Sequence, residues 1–447
     1  MRPLEKARWP NGFRCPRCNG HEHGLVYGRR LKRYQCRNCG HQAQLTAGTI
    51  MHPNACRRCG TLLHGEDPDP LCHQVIEIPP IAPVVIEHLL HRLVCPCCST
   101  STCATLPAEV ETSPYGPRLS ALVGLLGSAF PLSFSKTQAL LDQLLGVEIS
   151  RGAIATIRER ISATLEQPMQ EALALARQQP VAYVDETGAP TGNADGNNPS
   201  GKRGWQWVMV TAVVTVFIQG LSRSTAAAIE LLGSSFGGIV VSDRFSAYNH
   251  LPTQQRQLCW AHLIRDLTAI AERPGASAEF GAQLLELQQQ LFGHWHRYKD
   301  GTIDWPALQQ SCRPIRQAFE ARLQQVVELG YQRGERTPWA KTVRTTQQIL
   351  QVADALWTFL ETRGIEPTNN AAVDEVFSVG VRALRQSVIQ RKICHGVQSR
   401  QGAICRSRLL TVTTTLRQQG RDVWQYLEQA WVAHQRGGTI PSLMPDP

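Results

Sequence analysis

Val181-Ala182-Tyr183-Val184-Asp185-Glu186-Thr187-Gly188 is an apolar run that delivers a carboxylate and then breaks at glycine. It has the pattern of a buried strand with an acid at its end. Further on, Gly238-Ile239-Val240-Val241-Ser242-Asp243 repeats the grammar: β-branched residues for a strand buried on both faces, then an aspartate where the strand stops. Two such aspartates can converge on one metal site, because carboxylate oxygens suit hard divalent cations such as magnesium. Paired metals held this way activate an attacking oxygen and stabilise a leaving one in phosphodiester chemistry. A lone aspartate after a strand is more often a turn cap, but two such strands together shift the balance.

The segment around these acids reads as mixed α and β. Trp205 to Val210 and Thr211 to Gln219 are β-branched and aromatic, and a Gly/Asn-rich loop, Gly192 to Arg203, precedes them. Ser224 to Leu232 reads as a short helix before the strand that ends at Asp243. Three strands, a helix and a fourth strand match the start of a ribonuclease-H-like fold, which brings acids from neighbouring strands to one edge. Cys259-Trp260-Ala261-His262 opens the next helix after an expected fifth strand. Two ligands do not make a zinc site, so a buried structural role is favoured for Cys259 and His262. Residues 275–361 read as a helical insertion with Leu284, Leu287 and Leu291 on one face.

At 447 residues the chain has room for two or three domains, and its net charge of +10 is unevenly spread. Residues 1–52 carry ten Lys/Arg against two Asp/Glu, and positions 382–408 carry seven Lys/Arg and no acid. Both segments fit a polyanion, the alternative being a solvated basic face. The N-terminus has no apolar signal segment and the longest apolar run, Val208 to Phe217, is too short to span a bilayer, which points to the cytoplasm. Eleven of the fifteen cysteines precede position 104, and their two-residue spacings favour structural zinc over disulfides. Cys15-x-x-Cys18 and Cys36-x-x-Cys39 read as a zinc ribbon. The basic strand between them, with Arg29, Arg30, Lys32 and Arg33, suits phosphate contacts. Cys56-x-x-Cys59 and Cys95-x-x-Cys98 are more loosely spaced and read as a second zinc-binding module, with Cys72, Cys97 and Cys103 as spare thiols.

Between the cysteine modules and the strands the chain reads as helical. Leu119, Leu122, Leu125 and Leu126 share a face, a helix covers Lys136 to Leu145, and Gly146 to Ile149 turns into Ser150, an N-cap for Arg151 to Leu165. That outline fits a helix-turn-helix or an ordinary helical hairpin. The expected architecture is multidomain α+β: a zinc ribbon at 1–52, a second zinc-binding module at 53–103, a helix-turn-helix region at 117–178, and a ribonuclease-H-like α/β domain at 179–435.

From residue 53 to 435 the chain resembles the insertion-sequence-66 family of bacterial DDE transposases. The matching residues are the long-spaced knuckles, Asp185-Glu186-Thr187, the Gly238 to Tyr248 segment, Cys259-Trp260-Ala261-His262, and Glu366-Pro367-Thr368-Asn369-Asn370 before a basic helix. Residues 9–51 resemble instead the N-terminal ribbon of the insertion-sequence-1595 family. The resemblance implies cleavage and strand transfer of an insertion sequence on double-stranded DNA by two magnesium ions held by two Asp and one Glu. It implies action as a homo-oligomer on transposon ends and target, with accessory proteins and no membrane. Asp185 and Asp243 are its first two acids. For the third, the family pattern runs from the Asn-Asn pair through two residues to a glutamate and then to Arg-Ala-Leu-Arg. Here nine residues, Val373 to Val381, stand where one is expected before Arg382-Ala383-Leu384-Arg385, an apparent insertion of eight. The candidates are Asp374 and Glu375, of which Glu375 keeps the residue type. Arg382, Arg385, Arg391 and Lys392 suit DNA phosphates. The competing expectations are an inactive relic that binds DNA without cleaving it, and a structure-specific nuclease.

Overall fold

The computed structural model describes residues 53–65, 78, 80–107, 110–369, 388–389 and 392–444, together with the backbone of three strands within 23–44. The chain divides into two compact units, Met1–Pro80 and Ile81–Pro447. In the first, β1 (His23–Tyr27), β2 (Lys32–Cys36) and β3 (Gln42–Gln44) form an antiparallel meander in the order β1-β2-β3.

The second unit begins with a hairpin of β4 (Arg92–Val94) and β5 (Ser101–Cys103). Four helices follow: α1 (Pro117–Ser128), α2 (Phe134–Leu145), α3 (Arg151–Thr164) and α4 (Glu166–Ala176). The caps read from the sequence are present. Gly146 ends α2 in the left-handed region at φ 61°, which favours glycine, and the Ser150 side chain accepts from the Ala153 N–H to start α3. Ile154, Ile157 and Ile161 recur at helical spacing and are buried, while Arg151, Thr156, Glu159 and Arg160 remain outside.

A five-stranded sheet is the centre of the unit. Its strands are β6 (Val181–Gly188), β7 (Trp205–Val210), β8 (Thr215–Gly220), β9 (Ile239–Ser242) and β10 (Arg256–Leu258), in the order β10-β9-β6-β7-β8. β6–β7 and β7–β8 are antiparallel pairs, whereas β9 and β10 extend the other side of β6 in parallel, reached through α5 (Thr225–Leu232). The strand expected from Thr211 starts only at Thr215. Thr211 Oγ1 donates to the Val214 carbonyl and accepts from the Val214 N–H, which closes a tight turn inside a β-branched run.

Strand alternation sends residues to two cores. Tyr183, Val208, Phe217, Val241 and Leu258 face α6 (Trp260–Ala271), α7 (Ala276–Lys299), α8 (Trp305–Leu329), α9 (Pro338–Leu350) and α10 (Thr358–Glu361). Trp260 is fully buried there, edge-on to Phe319 at 5.4 Å and to Trp357 at 5.3 Å. Each such pair contributes about 1 kcal/mol beyond its area burial. Val184, Trp207, Met209, Val216 and Val240 face the opposite core with α1, α3 and the C-terminal helices α11 (Arg400–Gln418) and α12 (Val423–Gln435).

α11 also covers the sheet edge. Thr411 Oγ1 accepts from the Phe217 N–H at 2.9 Å, and Thr415 Oγ1 both accepts from the Thr215 N–H and donates to its carbonyl. The outer backbone of β8 at Thr215 and the Phe217 N–H is thus satisfied by helix side chains instead of another strand.

Candidate active site

Register brings the two strand-end aspartates together. β6 and β9 pair Val181 with Ile239, Ala182 with Val240 and Tyr183 with Val241. The same offset sets Asp185 level with Asp243, two residues beyond the last pair. Asp243 directly follows β9, and its carboxylate is near enough to Asp185 to act on its charge. β10 continues the row, because Leu258 pairs with Ser242 and the next residue, Cys259, donates its N–H to the Ser242 carbonyl.

Asp185 is half-buried and accepts from the Glu186 N–H at 2.8 Å. Burial, then the neighbouring Glu186 and Asp243 carboxylates, push it up to about 7, against the Glu186 N–H and Arg265. Such a carboxylate gains from a cation beside it. Asp243 turns the chain with its Oδ1 accepting from the Phe245 N–H at 2.9 Å.

Glu186 points the other way along the strand alternation and has a different task. Its Oε1 accepts from Arg223 Nε at 2.9 Å and Nη2 at 2.6 Å, and its Oε2 accepts from Tyr248 Oη at 2.7 Å. Burial still raises it above the ordinary glutamate range, and the Tyr248 and Arg223 bonds work against that shift. Arg223 is itself stacked over Trp205 at 4.7 Å and Phe245 at 3.8 Å. This cluster ties β6 to the turn after Asp243, and nothing in the local sequence announced it.

Cys259 and His262 open α6 beside the pair. The Cys259 thiol is buried, pushed up by that burial, and accepts from the Asn369 N–H at 3.1 Å. His262 is held below its ordinary value by burial and Arg265. Among the described residues no cluster of three or more His, Cys, Asp or Glu side chains could hold a metal ion.

The two cysteine knuckles repeat one local design, each in its own unit. Cys56 N–H donates to Thr61 O at 2.8 Å and Gly60 N–H to Cys56 O at 2.9 Å. Cys95 N–H and Thr100 O, and Ser99 N–H and Cys95 O, do the same at 2.9 Å each. The residue after each second cysteine is left-handed, Gly60 at φ 75° and Ser99 at φ 56°. Thr61 Oγ1 lies 3.3 Å from Cys59 Sγ, and Thr100 Oγ1 lies 3.2 Å from Cys98 Sγ. Hydrogen bonding with Thr61 lowers Cys59 to about 7, and hydrogen bonding with Thr100 lowers Cys98 in the same direction. A thiolate poised in this way is the ligand form for zinc. The shared Cys-x-x-Cys-(Gly/Ser)-Thr spelling was legible in the sequence; the threonines' role was not anticipated.

The sequence pattern of the Transposase IS66 family matches residues 112–404, well over half of the chain. The chain belongs to the Transposase IS66 family. A transposase zinc-ribbon domain of the insertion-sequence-1595 type matches residues 1–42, spanning Cys15, Cys18, Cys36 and Cys39. No curated protein matches the chain. Both resemblances read from the sequence are therefore found, the first over a shorter span than 53–435. The knuckles at 56–59 and 95–98 fall outside both matches.

In this transposase-family chain Asp185 and Asp243 lie within the matched span, Asp185 on β6 and Asp243 directly after β9. Lys32 and Arg33 lie on β2, and Lys392 is exposed. Glu375, Asp374, Arg29, Arg30, Arg382, Arg385, Arg391, Cys15, Cys18 and Cys39 lie outside the described residues. Among the described residues no helix is long and apolar enough to cross a membrane.

Proposed function

We propose that this chain is a metal-dependent DNA transposase that cleaves the ends of an insertion sequence and joins them to target DNA. The observation that carries the reading is the parallel register of β6 and β9, whose last pair, Tyr183 with Val241, stands two residues before Asp185 on one chain segment and Asp243 on the other. The sheet order β10-β9-β6-β7-β8, with three antiparallel strands extended by two parallel ones, supports a ribonuclease-H-like fold. The two residues also fit magnesium by donor chemistry: both offer hard carboxylate oxygens, and Asp185 is pushed toward protonation by burial and then by the Glu186 and Asp243 carboxylates. Asp185 and Asp243 would hold the ions, which supply activation of the attacking oxygen and stabilisation of the leaving one. Glu186 keeps the first strand fixed through Arg223 and Tyr248, so that Asp185 keeps its aim.

Glu375 is the proposed third acid. The described chain on either side of it is anchored to β6 or its continuation: Asn369 Nδ2 donates to the Val184 carbonyl, and the Val397 N–H donates to the Pro190 carbonyl. The zinc modules, with ligands Cys15, Cys18, Cys36 and Cys39 in the ribbon and two thiolates in each later knuckle, together with Arg29, Arg30, Lys32, Arg33, Arg382, Arg385, Arg391 and Lys392, would grip DNA phosphates. Homo-oligomers, accessory proteins and a cytoplasmic setting follow from the same reading.

A second reading, a relic that binds DNA without cleaving it, is favoured by the nine residues between Ala372 and Arg382. Supercoiled DNA bearing the element's ends, incubated with magnesium, separates the two. The test compares the intact chain, Asp185→Ala, and a variant that lacks 373–380 and carries Val381→Glu. Cleavage and joining by the intact chain, abolished by Asp185→Ala, is the expected result. Activity only in the shortened variant would support the relic, and activity in neither would sink the transposase reading.

A further inference from the structure

The parallel ladder between β6 and β9 ends at Tyr183 and Val241, just before the two aspartates. The Val184 carbonyl lies beyond that last pair, and Asn369 takes it: Nδ2 donates to it at 3.0 Å. The Asn369 backbone N–H donates to Cys259 Sγ at 3.1 Å, at the end of β10. β10 and β6 lie on either side of β9, so one residue is bonded to both neighbours of the strand that carries Asp243. The Trp260 N–H, donating to the Pro367 carbonyl at 2.9 Å, fixes the chain two residues earlier. Asn369 is 5% exposed, and its Oδ1 has no hydrogen-bond partner among the described residues.

We infer that Asn369 is a positioning residue, whose side-chain amide and backbone N–H tie β6 to the end of β10 across β9 and so hold Asp185 and Asp243 in place for shared cation binding. The inference rests on the metal-site reading above. A buried carbonyl needs a donor, and Asn369 supplies one at Val184. An aspartate of the same shape would set two acceptors against each other and free β6 to shift. Displacements near 1 Å at a reacting site cost about a hundredfold in rate.

The test is Mn2+ binding to the zinc-loaded full-length protein, followed by electron paramagnetic resonance of the free ion. Magnesium-dependent cleavage at saturating DNA is measured beside it. Asn369→Asp is expected to weaken Mn2+ binding tenfold or more and to slow cleavage by about a hundredfold. DNA affinity without metal is expected to stay within twofold. Wild-type Mn2+ affinity in folded Asn369→Asp, with only the melting midpoint lowered, would overturn the inference and leave a purely structural asparagine. Should Asn369→Asp not fold, Cys259→Ala carries the test, since it removes the acceptor for the Asn369 N–H and keeps the Cys259 backbone bond to Ser242. Weaker Mn2+ binding then supports the inference and unchanged binding overturns it. Failure of the metal-site reading itself looks different, because Asp185→Ala would then bind Mn2+ as well as the wild-type protein does.

Discussion

Asp185 and Glu186 are adjacent carboxylates that strand alternation sends to opposite faces, and their surroundings give them opposite tasks. Asp185 keeps a partly open face and only one backbone donor, which leaves room for a cation. Glu186 has a side chain only 1% exposed and is fully engaged by Arg223 and Tyr248. Breaking a buried pair by removing one partner costs about 3–5 kcal/mol; with Arg223 one-third exposed, Arg223→Ala is expected to cost about 3 kcal/mol in urea unfolding. A loss under about 0.5 kcal/mol would mean that Glu186 is no structural anchor. The strands that lead into Asp185 and Asp243 were legible because an apolar β-branched run followed by an acid is a local pattern. The Glu186 to Arg223 pair was not, since its partners are 37 residues apart and meet only through the sheet.

At the scale of elements, helices read well where the caps are local, as at Gly146 and Ser150. The turn at Thr211 was missed because its β-branched residues also suit a strand, and only the Thr211 hydroxyl marks the reversal. The covering of β8 by α11 was equally hidden, although Thr411 and Thr415 stand four apart on one helix face. Thr411→Val and Thr415→Val keep the shape and remove the acceptor, leaving a buried strand N–H unpaired. Each is expected to lower stability by about 1–3 kcal/mol, with the greater loss at Thr415, which makes two bonds. Equal stability of both variants in urea titration would show that water reaches the edge of β8.

At the scale of the molecule, the sequence told which family the chain belongs to better than it told how the third acid is completed. The two aspartates and the zinc-ribbon spacing are local spellings, whereas the segment between Ala372 and Arg382 departs from the family pattern. The net charge of +10 implies binding dominated by phosphates. The logarithm of DNA affinity is expected to fall linearly with the logarithm of salt, and Lys32→Ala with Arg33→Ala to reduce that slope by about 2. An unchanged slope would remove β2 from the DNA surface. The transposase reading as a whole depends on Asp185 and Asp243 acting as one cation site, and Mn2+ titration of the zinc-loaded, DNA-free protein measures that most directly. Binding lost in both Asp185→Asn and Asp243→Asn is the predicted result; binding that survives either substitution at wild-type affinity would contradict it.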